Sequence, residues 1–188
     1  MSAWRILVNL GIVLAACGSL KSAPFVVFPK AGELRSPDGR FVVRNAEREA
    51  PATDLDGTFH SLWVVESGSG RTRKLCDYVG VAAAAWTEDD RLLVTEYLGR
   101  RTSRALLFAV ADATGPLVLD KGTLTQQVPP ALRDTLRGND HVFIEAEAVA
   151  GNELLLEVWG YGKHDAMGFR WKCSYNIPEN RIACAAKR

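Results

Sequence analysis

The chain is poor in the residue patterns that mark common chemistries. Its three histidines, His60, His141 and His164, include no pair at metal-ligand spacing. No Cys-x-x-Cys occurs among its four cysteines, so a zinc site has no support. Gly-x-Ser-x-Gly, Ser-x-x-Lys, Walker and dinucleotide fingerprints are missing. Neither sign of charge is in excess: 23 basic against 22 acidic residues give a formal net charge of +1. That balance gives no electrostatic reason to expect nucleic acid or an anionic membrane surface as partner. After the first residues no hydrophobic run approaches the roughly 18 needed to span a bilayer. A long helical period is also lacking.

Some fragments touch on chemistry without completing it. Asp54-Leu55-Asp56-Gly57 has part of a calcium loop but lacks the remaining ligands, so it reads as a polar turn. Glu145 and Glu147 stand two apart, hence on one strand face. Paired carboxylates can do acid–base work, and an exposed strand face is the alternative. A Ser–His–Asp set assembled across the fold leaves no local mark and stays open. The reading is of a non-enzyme with no catalytic residue, no metal and no cofactor.

Hydrophobic residues make up 47% of the chain and charged residues 24%, which points to a packed core rather than disorder. At 188 residues one domain is expected. Met1-Ser2-Ala3-Trp4-Arg5 precedes an apolar run from Ile6 to Ala16, broken only by Asn9 and Gly11. A charged start, a short apolar segment and small residues at its end make an export signal. Leu14-Ala15-Ala16-Cys17 resembles the bacterial lipobox. The resemblance implies that residues 1–16 are a signal peptide and that Cys17 is acylated and becomes the first mature residue. Gly18 stands where an inner-membrane retention signal has Asp, which implies an outer-membrane lipoprotein facing the periplasm. The alternative is an ordinary signal in which Cys17 is incidental. Residues 17–30 are read as anchor and linker, and 31–188 as the domain.

From Pro24 onward, apolar stretches of about 4–8 residues recur between Gly, Asp, Asn and Pro, the signature of short antiparallel strands. They fall into three units, each strand–turn–strand, loop, strand–turn–strand. The first holds "ELRSPDGRFVVRN" and "SLWVVESGSGRTRKL", the second "AAAAWTEDDRLLVTEY" and "RALLFAVADATGPLVLD", the third "IEAEAVAGNELLLEVWG" and "GFRWKCSYNIPENRIACA". Pro presets φ, Gly and Asn accept positive φ, and Asp bonds back to the backbone, so the turns have a mechanism. One helix is expected, over 130–137, started by proline and stopped by Gly138. Ser36-Pro37-Asp38-Gly39-Arg40-Phe41-Val42-Val43, followed by Leu62-Trp63-Val64-Val65, resembles a TolB-type, WD40-like propeller blade. The second unit keeps Trp86-Thr87-Glu88-Asp89-Asp90-Arg91-Leu92-Leu93-Val94, and the third keeps only the pattern. The resemblance implies an all-β chain of antiparallel four-stranded blade-like units. Three units fall short of the four to eight of a closed propeller, so a small or incomplete β-propeller-like domain is expected, or a sandwich of the same hairpins.

An exported chain can hold disulfides. With Pro178-Glu179 at the centre of a two-residue turn, pairing outward sets Cys173 directly opposite Cys184. A Cys173–Cys184 disulfide follows, with two free thiols as the alternative. Cys76 is left over and reads as a small buried hydrophobe.

The connections between hairpins, roughly Arg44–Ser61, Tyr97–Arg104 and Trp159–Gly168, are expected on one edge, where loops carry binding more often than strands do. Tyr97, Arg100, Arg101 and Arg104 occupy one; Trp159, Tyr161, His164, Asp165 and Met167 another. Aromatics and arginine are enriched at interface hot spots. The competing reading makes Arg100 and Arg101 a solvated corner and Trp159 and Tyr161 core. The size, leader and blade pattern are similar to periplasmic immunity proteins of type VI secretion, some of which inhibit cell-wall amidases. That similarity implies a lipid-anchored protein that binds a protein partner in the cell envelope and touches the membrane only through its anchor. Alternatives are an envelope scaffold or assembly lipoprotein, and a hydrolase of unknown type.

Overall fold

Turn chemistry cuts the chain into strands. In the computed structural model, which describes residues 24–48, 59–112 and 114–186, Pro37-Asp38-Gly39 joins β2 (Glu33–Arg35) to β3 (Phe41–Arg48). Asp38 accepts from the Ser36 hydroxyl at 2.6 Å and the Arg40 amide at 2.9 Å, while Gly39 takes φ +75°. Those two bonds hold its carboxyl down to about 2. β4 (Phe59–Glu66) and β5 (Thr72–Val79) follow, and the four strands pair in chain order as an antiparallel sheet. Cys17 and Asp54-Leu55-Asp56-Gly57 lie outside the described residues.

A second meander consists of β6 (Ala82–Trp86), β7 (Arg91–Leu98), β8 (Thr102–Ala109) and β9 (Leu117–Leu119). A third consists of β10 (His141–Ala150), β11 (Glu153–Tyr161), β12 (Phe169–Asn176) and β13 (Arg181–Ala186). All six hairpins read from the sequence are present. The chain is mainly β, its sheets built of antiparallel strands, and the described strands form no closed barrel or ring. β1 (Val26–Phe28) pairs with β6, so part of the segment read as linker is a strand, with Phe28 fully buried. β8 also meets β10, in parallel, at Thr102 and Val142.

The middle meander buries both faces. Leu92, Val94, Leu106 and Phe108 pack against Phe41, Val43, Leu62 and Tyr78 of the first sheet. Leu93, Ala105 and Leu107 point the other way, onto Val142, Ile144, Leu156 and Trp171 of the third. That two-sided burial explains why β7 is buried without a break from Leu92 to Glu96, whereas β11 alternates buried and half-buried residues. Where β10 leaves β8 after one pair, hydroxyls satisfy its backbone. Ser103 accepts from the Ile144 amide at 2.8 Å, and Thr95 from the Ala146 amide at 2.9 Å.

Between β9 and β10 lie two helices, α1 (Lys121–Gln127) and α2 (Pro130–Gly138). The second was expected. The first was not, because seven residues with a single buried leucine are too short to show a period. Asp120 caps it, accepting from the Thr123 amide at 2.8 Å, and Leu124 and Leu136 enter the second core. Cys173 and Cys184 stand directly opposite in the β12–β13 ladder and form the disulfide. Cys76 remains free.

Candidate functional site

The meander order sends the β7–β8 turn and the β11–β12 loop to one end of the molecule, while most of the connection expected over Arg44–Ser61 lies outside the described residues. The β7–β8 turn reaches the start of β10, where the Val142 amide donates to the Arg101 carbonyl at 3.0 Å. The β11–β12 loop is tied to the end of α2 through Asn139. Its side chain donates to Asp165 at 2.8 Å and to the Thr135 carbonyl at 2.9 Å, and accepts from the Asp165 amide at 3.0 Å. The approach is close. A Cβ on Gly162 would stand 2.8 Å from the Asp140 nitrogen, and one on Gly138 would stand 2.6 Å from the His164 Cβ.

Not every residue expected in these loops is in one. β7 runs to Leu98 and β8 starts at Thr102, so Tyr97 and Arg104 are strand residues and only Gly99, Arg100 and Arg101 form the turn. Tyr97 donates to Glu145 at 3.0 Å, and burial, with the Glu145 charge added, pushes its phenol up to about 12. Arg104 is bonded to Glu96 at 2.7 Å, where the carboxylate is 4% exposed and the guanidinium 33%. Burial raises the Glu96 carboxyl, and Arg104 opposes that shift. Trp159 also lies in a strand, stacked on Phe143 with centroids 4.1 Å apart, and Tyr161 stacks on His141 at 4.4 Å. Arg100, Arg101 and His164 are exposed, whereas Asp165 is half-buried and held by Asn139.

The same end gathers exposed apolar side chains. Met167 is 100% exposed, Tyr161 43%, Val81 41% and Leu98 38%. Val81 belongs here because its carbonyl accepts from the Tyr97 amide at 3.3 Å. Met167 was among the loop residues singled out, but Val81 and Leu98 were not. In the sequence, nothing distinguishes an apolar residue that ends a strand, as Leu98 does, or immediately precedes one, as Val81 does.

The opposite end holds a cleft of about 660 Å³, lined by Trp86, Leu93, Val149 and Pro24 and bordered by Glu88, Asp89 and Arg91. Arg91 joins its sides, bonded to Asp89 at 2.7 Å and to the Gly151 carbonyl at 3.0 Å. Half-buried between the first two meanders is Cys76, whose thiol is pushed up to about 12 by desolvation, reinforced by Glu96. A thiol in that state is a packing group rather than a nucleophile. Glu145 and Glu147 are divided in use: the first accepts from Tyr97, and the second is bonded to Lys172. No cluster of three or more His, Cys, Asp or Glu that could hold a metal ion occurs among the described residues.

No family model, no curated protein and no solved structure matches this chain.

Proposed function

We propose that the protein is a non-enzymatic binding protein of the cell envelope, exported and anchored through Cys17, that engages a protein partner with the end carrying Arg100, Arg101, Tyr161 and Met167. The observation that carries this reading is the gathering of Val81, Leu98, Tyr161 and Met167, all exposed, beside two exposed arginines. Exposed apolar side chains rimmed by polar ones mark interaction surfaces. Such a site works by shape and desolvation: Met167 enters a partner's pocket, and the arginines bond carboxylates around it. In this reading the three meanders are blade-like units of an incomplete propeller, the second and third contributing the β7–β8 and β11–β12 returns to one edge. An immunity protein that plugs the cleft of a type VI effector, such as a cell-wall amidase, fits the site's form. An envelope scaffold is the second reading, and a constant envelope partner distinguishes it from a toxin.

The test is capture from the envelope with the full chain as bait, followed by protection of cells against the captured effector. Arg101→Glu with Met167→Glu is expected to abolish both while the fold, read by circular dichroism, is unchanged. Undiminished capture by that variant sinks the assignment of this end. Labelled-palmitate incorporation that survives Cys17→Ser sinks the anchor.

A further inference from the structure

The chain enters the fold at the end opposite to the one that carries Met167. β1 pairs with β6 from Phe28 opposite Ala82 to Val26 opposite Ala84, which leaves Pro24 at the cleft end, where it lines the cleft with Glu88 and Gly151. Trp86, at the end of β6, pairs with Leu92, and β7 continues from there for six residues to Leu98, a rise of about 20 Å. Seven residues lead from Cys17 to Pro24, and they reach at most about 25 Å. The two ends also differ in charge. The β2–β3, β4–β5, β6–β7, β8–β9, β10–β11 and β12–β13 turns all lie at the cleft end, joined into one group by bonds that run from the Ser67 hydroxyl on the Gly39 carbonyl to the Ile177 amide on the Asn152 carbonyl. Counted from the last residue of one strand to the first of the next, they hold eight acidic and five basic side chains, an excess of three negative charges. At the other end Arg100, Arg101 and Lys163 are exposed.

We infer that the anchor holds the molecule by its cleft end, so that the end carrying Arg101 and Met167 points away from the bilayer and meets a protein soluble in the compartment rather than the lipid surface. This rests on the anchored, partner-binding reading above and adds the direction from which the partner approaches. Two observations carry it. Turning the binding end onto the bilayer would send the tether back along the domain for about 20 Å of its reach of about 25 Å. A chain held so nearly straight keeps few of its conformations. At the near end, the excess of negative charge gives no attraction to anionic headgroups, so nothing electrostatic presses the cleft end flat onto the membrane. Lipid is the competing occupant of the far end, because exposed arginines are drawn to anionic headgroups within reach. The length of the tether decides against it.

The test places a donor dye on the acylated full chain in vesicles of phosphatidylethanolamine and phosphatidylglycerol that carry a headgroup acceptor. Glu88→Cys puts the dye at the cleft end and Ala166→Cys at the binding end, both at exposed positions, while desolvation holds Cys76 unreactive. Energy transfer is expected to be several-fold stronger from residue 88 than from residue 166. Equal transfer, or stronger transfer from residue 166, overturns the inference. Flotation with acceptor-free vesicles of the same lipids reads the competing occupant. The unanchored Cys17→Ser chain is expected to stay behind, and its flotation makes lipid a direct ligand and overturns the inference. Palmitate labelling of the wild type separates two kinds of failure. A chain with no label on Cys17 sinks the anchor and the orientation together, whereas a labelled chain with equal transfer sinks the orientation alone.

Discussion

Reduction of the Cys173–Cys184 bond isolates one contribution to stability. The bridge closes a loop of sequence separation 11 within a single hairpin. Loop-closure entropy for that length amounts to about 2.8 kcal/mol at 25 °C, the lower part of the usual range because the hairpin already brings the strands together. Reduction keeps both sulfurs in place, so it removes the constraint without emptying the core around Cys173, which is 4% exposed. With a urea dependence of about 2 kcal/mol per molar, the unfolding midpoint is expected to fall by about 1.4 M on reduction. The double alanine variant is expected to fall further by about 1 kcal/mol, from the lost contacts of Cys173 with its apolar neighbours. The assay is urea unfolding followed by tryptophan fluorescence, oxidised against reduced. Thiol titration of the unfolded, unreduced chain supplies the check. One thiol, Cys76, is expected where Cys17 is acylated, and two where it is not. An unchanged midpoint, or three or more thiols before reduction, would falsify the pairing and its assigned weight.

Other perturbations have equally definite outcomes. Cys76 is expected to resist alkylation at pH 8 in the folded chain and to react fully in urea, since burial holds its thiol at about 12; rapid native labelling would contradict that burial. The Glu96 carboxyl is raised, so the folded state binds its proton more readily than the unfolded chain does. Its contribution is therefore full below the unfolded value and is lost as pH rises through the folded one, making the wild type's advantage over Glu96→Gln larger at pH 4 than at pH 7. A pH-independent difference in urea midpoints refutes this. Gly160→Ala is expected to cost about 3 kcal/mol, because the new methyl would stand 2.2 Å from the His141 carbonyl oxygen and 2.9 Å from the Phe169 ring; a midpoint within error of wild type contradicts the close approach. Tyr97→Phe is expected to cost about 1 kcal/mol through loss of the bond to Glu145, with the melting temperature as readout.

What could be read from the sequence follows from how local each determinant is. Six hairpins, the Cys173–Cys184 register and α2 were legible, because turn residues, strand alternation and Pro130 act within a few residues. The strand pair β8–β10 was not, since its one backbone pairing joins residues forty apart and depends on Ser103 and Thr95 hydroxyls that look like ordinary strand residues. Tyr97, Arg104 and Trp159 were placed at the ends of loops because the hairpin repeat fixes where connections fall only to within a few residues, and the competing reading of Trp159 as a packed residue fits the fold. In the fold each is partly buried by a specific partner, Glu145, Glu96 and Phe143. Glu96 and Phe143 are the cross-strand neighbours of Arg104 and Trp159 within their own hairpins, and only Tyr97 finds its partner in another meander. β1 escaped notice for the opposite reason: three residues beside Pro24 are too few to show alternation, yet pairing with β6 buries Phe28.

The polar groups between the meanders decide what the proposed binding end can offer a partner. Glu96 and Arg104 lie below the β7–β8 turn, and the charges of both reach Cys76 in the adjoining sheet. Removing either partner leaves the other in a poorly solvated place, a larger cost than the pair itself returns. Arg104 is therefore held by Glu96 and is not available to the proposed partner, while Arg100 and Arg101, two residues of the same short turn, are. The division is sharp in its consequences. Arg104→Ala is expected to lower stability and, through the tilt of the turn, to weaken partner capture in proportion. Arg101→Ala is expected to weaken capture with the urea midpoint unchanged. If instead Arg104→Ala abolishes capture at unchanged stability, Arg104 contacts the partner directly and the ion pair with Glu96 opens on binding.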